Sequence, residues 1–226
     1  LFRSLEAILA LVIVQGFKMA GKQSHTLNKL ISRYDVYKNR FMIRCSPDWS
    51  LLDADSIGMA MQPLPGWGDY RWNIKTKSDS ARFYFNQGIN MYYAFHIIES
   101  LASFKKASQF DSANAMLYWA QALAYGPNIN DVSYAAAPDA LAATQKAVYY
   151  SSKNTPKEKA LIEAMRVRYT SDTTVSRTDL NEKYAAAMLQ VLKQFSNDAD
   201  VHALYADARM LQHPWEYWEH NGNPKA

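Results

Sequence analysis

The sequence predicts an all-α fold, antiparallel helix hairpins stacked as a solenoid, and three observations predict it. Its 226 residues include only eight Gly and eight Pro, against runs rich in Ala, Leu, Met, Lys and Gln, a composition that favours helices over strands. Tyr84, Gly88 and Met91 lie four and three residues apart, the spacing that puts side chains on one helical face. The same bulky, small, bulky register returns 34 residues later as Tyr118, Ala122 and Tyr125, a period at which two-helix units repeat. With 49% apolar and 13% aromatic residues, the chain can bury a real core in one or two compact units.

Residues 1–16 contain an apolar run from Ala7 to Val14, the length of a signal-peptide core and too short to span a bilayer securely. Export to the cell envelope, or a membrane tether through the N-terminus, is therefore expected. Residues 17–44 read as a basic linker: seven Lys or Arg stand against Asp35 alone, with a weak amphipathic pattern from Leu27 to Tyr34. From Cys45 onward 17 basic and 19 acidic residues remain, so the net charge of +4 is no footprint of nucleic-acid binding, and none is expected. Cys45 is the single cysteine, which excludes an internal disulfide and a Cys-rich zinc site.

Residues 45–77 are rich in Trp, Pro, Gly and Asp, and Pro63, Pro65 and Gly66 break any helix there. This segment is expected to pack in extended form on the first helix pair, anchored by Trp49, Trp67 and Trp72, with Tyr70–Ile74 as a candidate short strand. Three tryptophans as a sugar-stacking surface is the weaker alternative.

Helical repeats are expected over residues 78–220. Ser78 and Ser80 are N-cap candidates for a helix from about Ala81 to Ala94. A turn near Phe95 and His96 leads to a partner from Ile97 to Phe110, with Ser100, Phe104 and Ala107 on its inner face. Gly88 and Ala107 are the small residues that let the two helices approach. The next helix follows residues 111–114 and reaches Tyr125. Matching Lys106-Ala107 to Lys146-Ala147 gives an offset of 40 instead of 34, so six extra residues enter as the loop 126–138. In that loop Gly126 and Pro127 stop the helix, and Asn128, Asn130 and Asp131 turn the chain through side-chain hydrogen bonds. Helix resumes from Asp139 to Ser151. Thr155, Pro156 and Glu158 form a cap, first-turn proline and capping-box set for a helix to Tyr169. Two more helices are read over Thr178–Phe195 and Ala199–Leu211. Beyond them Trp215, Tyr217 and Trp218 are expected to pack on the last hairpin, with residues 221–226 as a linker toward further helices of a longer array.

The register of residues 81–125 resembles the tetratricopeptide repeat family, with Gln87 where that family has leucine and Ser112 where it has a helix-stopping proline. The pairing of GPNIN at 126–130 with HPWEYW at 213–218 is similar to a group of bacterial, often exported, proteins of that family. The resemblance runs from Cys45 to the end and implies a right-handed superhelix, without implying a chemistry.

No phosphate-cradling glycine loop, nucleophile elbow or zinc-protease motif is present, and the five histidines are dispersed. No enzymatic activity, cofactor or metal is expected. A protein or peptide partner is expected on a concave face lined by Phe85, Ile89, Tyr92, Trp119 and Leu123, with Asn128, Asn130 and Asp131 of the loop as a recognition element; the equal alternative is that these side chains pack against residues 45–77 or a further helix. The competing expectation is an enzyme or a metal-binding or small-ligand protein whose site is completed by a further C-terminal region. It would use the 126–138 loop and His213, Glu216 and His220, which share a face if the tail is helical.

Overall fold

The computed structural model describes residues 47–132 and 137–224. Among them the structure is all-helical, with eight α-helices and no strand: α1 Ala54–Ala60, α2 Asp79–Tyr93, α3 Ile97–Phe110, α4 Ala115–Tyr125, α5 Ala137–Tyr150, α6 Pro156–Arg166, α7 Arg177–Gln194 and α8 Ala199–Met210. From α2 onward each helix packs on the next, and α2, α4 and α6 also touch in succession. No helix among the described residues is long and apolar enough to cross a membrane. The apolar and basic stretches of residues 1–44, Cys45 and the 133–136 part of the loop lie outside the described residues.

The caps are those the sequence encodes. Ser78, Asn114, Ser176 and Asp198 each accept a backbone N–H of the first turn that follows, satisfying donors that a helix start leaves open. At α6 the capping box is complete: Glu158 accepts from Thr155 N at 2.8 Å, and Thr155 Oγ1 accepts from Glu158 N. The α2–α3 turn closes with Phe95 in the left-handed region at φ 59°.

Four expectations are corrected. First, residues 54–60 of the Trp-rich segment are helical, capped by Asp53, and α1 packs on α3. Second, Tyr70–Ile74 makes no strand; its backbone is captured by side chains of α2. Asn86 Oδ1 accepts from Trp72 N at 2.8 Å, Asn90 Nδ2 donates to Tyr70 O, and Gln87 both accepts from Leu64 N and donates to Gln62 O. Gln87 at a leucine position thus has a reason, since it pins the covering segment. Third, α6 stops at Arg166, because Arg168 turns inward to donate to Pro127 O at 2.9 Å. Fourth, the tail is not helical: α8 ends at Met210, Trp215 has φ 63°, and Trp218 pairs with Pro224. Trp215 and Trp218 are exposed and Tyr217 is half-buried, so the two tryptophans do not pack on the last hairpin.

Candidate functional site

The expected groove lining is core. Phe85, Ile89 and Leu123 are 0% exposed, Trp119 1% and Tyr92 8%. The covering segment is the cause: the Trp72 ring sits 6.1 Å from Phe85 and 5.5 Å from Trp119, edge to face. The physical reason is amount of apolar surface, because one hairpin layer cannot shield this many aromatic rings and residues 62–74 supply the remainder. Of the expected residues Tyr92 and Asn128 border a cavity.

The loop after α4 is fastened at both ends of its described part. Asn128 and Asp131 bond through their backbones, and Asn128 Oδ1 accepts from Asn130 N at 2.9 Å, the turn its asparagines encode. Arg168 donates to Pro127 O, and Asn181 Nδ2 of α7 donates to Val132 O. Tyr169, next to Arg168, donates its hydroxyl to Ala122 O at 2.7 Å. Asn128 is buried, while Asn130 and Asp131 are half-buried.

Arg168 itself is wholly buried, with Nε and Nη1 lacking a hydrogen-bond partner among the described residues. Its charge lies 4.4 Å from the centre of the Tyr184 ring and against Tyr169, a cation-π arrangement. It also meets a carbonyl just past the end of α4, where the helix dipole favours positive charge.

Above this cluster lies a cavity of about 180 Å³. Tyr92, Tyr93, Phe95 and Ile97 form one wall, Asn128 and Ile129 the floor beside the loop, and Ala203, Leu204, Ala206, Asp207 and Met210 of α8 the other wall. Tyr93 and Phe95 remain partly exposed at its rim. The Tyr92 hydroxyl donates to Asp207 Oδ2 at 3.3 Å, and the Asp207 carboxylate has no other hydrogen bond and no ion pair with a described residue. Burial raises the Asp207 carboxyl above its ordinary range, an effect that Arg168 and the Tyr92 hydroxyl only partly offset. Burial, then the neighbouring Asp207, raises the Tyr92 phenol well above its usual value.

A larger open groove of about 770 Å³ lies where the starts of α2 and α4 meet the 149–154 turn. Part of its polar lining is taken up by structure: Ser78 and Asn114 cap helices, Asn154 donates to Glu158, and Lys75 Nζ donates to Lys153 O. Lys77 and Lys153 also line it, at exposed positions.

His213, Glu216 and His220 share no helical face, and no group of three metal-ligating side chains is present among the described residues. The residues that sequence reasoning missed are Tyr93, Phe95, Arg168 and Asp207. A weak signal for Asp207 existed: it lies three residues after Leu204 and next to Ala208, so it borders the buried face of α8 formed by Val201, Leu204 and Ala208. Arg168 had none, since its role depends on α6 stopping early. No family model, curated protein or solved structure matches the chain.

Proposed function

We propose that the chain is a tetratricopeptide-like scaffold, not an enzyme, that binds an extended peptide segment of a protein partner at the cavity between the end of α2 and α8, beyond the part of the helix face that residues 62–74 cover. The observation supporting this reading is the cavity at the α2–α8 end, whose rim carries the partly exposed rings of Tyr93 and Phe95 with Tyr70 beside them at 5.9 Å from Tyr93. Half-exposed aromatic rings around a recess are the usual anchors of recognition. The place of binding differs from the sequence expectation: the rim replaces the buried Phe85, Trp119 and Leu123. Location at the cell envelope is part of the same proposal.

Selection of a random peptide library on the full chain tests it, with the double variant Tyr93→Ser/Phe95→Asn alongside. Asparagine tolerates the left-handed backbone at position 95, so the variant should fold as the parent does. Enriched peptides that bind the parent and lose about tenfold or more on the variant support the proposal. No enrichment on either protein, or equal binding to both, overturns it.

A further inference from the structure

The cavity between the α2–α3 turn and α8 has one charged side chain in its lining, and it is acidic. Asp207 lines it, Tyr92 occupies Oδ2, and no described residue bonds Oδ1. The nearest base, Arg168, is inaccessible, so an entering group meets the carboxylate and not the guanidinium. Around that carboxylate the walls are rings and aliphatic side chains: Tyr92, Tyr93 and Phe95 opposite Leu204 and Met210. A carboxylate set among aromatic faces is a cation-binding combination, because ring quadrupoles and the negative oxygen act in the same sense. Asp200, two turns before it on α8, is already engaged by the Tyr70 hydroxyl and the Lys157 ammonium, which leaves Asp207 as the acid of the cavity itself.

Size narrows the occupant. At about 180 Å³ the space is below the roughly 300–1,000 Å³ of sites for drug-sized ligands and suits one side chain. Oxygen count narrows it further, since an arginine fork takes two carboxylate oxygens whereas an ammonium is satisfied by one. Resting on the peptide-binding proposal above, we infer that this cavity is the anchor pocket for one lysine side chain of the bound peptide, its stem against Tyr93 and Phe95 and its ammonium on Asp207 Oδ1.

The test uses the full chain and three fluorescent nonapeptide mixtures that differ only at the central position: lysine, norleucine or glutamate. n-Butylamine serves as a free competitor. The lysine mixture should bind at least about tenfold tighter than the norleucine mixture, the preference should vanish in Asp207→Asn, and Ala203→Leu, on an exposed position at the cavity wall, should weaken binding by a similar factor. Circular dichroism and thermal melting of both variants separate lost binding from lost fold. Equal binding of lysine and norleucine mixtures overturns the lysine pocket while leaving peptide recognition standing. A preference for glutamate overturns it in favour of an anion reaching Arg168. Binding of n-butylamine with no mixture bound overturns the peptide source. No binding of any probe overturns both readings.

Discussion

Phe104 of α3 lies against Gly88 of α2 so closely that a Cβ at position 88 would fall 2.5 Å from Phe104 Cε1. The small residue and the ring it admits are therefore one device, and the α2–α3 spacing depends on both. Gly88→Ala should destabilise the protein although alanine is the better helix former. The gain of about 1 kcal/mol in propensity is outweighed by overpacking of about 1–3 kcal/mol in a ring that has no free space to move into. Urea unfolding of the variant should show a lower midpoint, and Phe104→Leu in the same chain should recover part of the loss.

Trp72 is the keystone of the covering segment. It is buried against Phe85 and Trp119, and its backbone N–H is held by Asn86. Trp72→Ala should cost about 3–5 kcal/mol and should raise binding of a hydrophobic dye, because the rings beneath lose their cover. Asn86→Ala should cost about 1–3 kcal/mol by leaving the Trp72 N–H unpaired.

Glu158 serves two elements at once. Besides closing the capping box of α6, its Oε1 accepts from Lys75 N in the covering segment at 3.0 Å. Glu158→Ala should lower stability by more than the roughly 1 kcal/mol of a cap alone. Amide exchange should then quicken at Lys75 as well as at Thr155.

Arg168 is a buried cation stabilised by a carbonyl and ring faces. Arg168→Met keeps the stem and removes the desolvated charge, whereas Arg168→Lys keeps the charge and loses the flat face over Tyr184. Chemical unfolding should rank lysine as the more destabilising of the two. The opposite order would show that the charge itself holds the loop.

Asp207 supplies a pH dependence. Its folded carboxyl is raised above the ordinary 3.8, so the folded state binds more protons than the unfolded state in the window just above that value. Its contribution to stability is present at low pH and falls as pH rises through the folded pKa. Tyr92, Arg168, Tyr169 and Tyr184, which face or surround it, do not titrate there. Asp207→Asn should therefore melt higher than the parent at pH 7, with the difference shrinking toward pH 3.5.

Much of the helical layout was legible residue by residue. Ile97–Phe110 coincides with its predicted span, and the Thr155, Pro156 and Glu158 capping set stands as read, because caps and turn asparagines act over three or four residues. The site was far less legible. Phe85 and Ile89 lie one turn apart on α2 and Trp119 on α4, yet helical spacing does not say whether water, a ligand or another part of the chain lies on such residues.

The sequence by itself determined seven of the eight described helices, their caps and the helix stop after Tyr125, consequences of short-range stereochemistry, and it marked Gly88 as a place of close approach. The packing of the Trp-rich segment on the first helix pair was expected, but only the tertiary structure decided which α2 side chains hold its backbone and that Arg168 leaves its helix to hold Pro127. It also decided that Asp207 meets Tyr92, 115 residues away in the chain. Such pairings are settled by which apolar surfaces remain uncovered once the helices have formed, and that competition is played out across the whole chain at once.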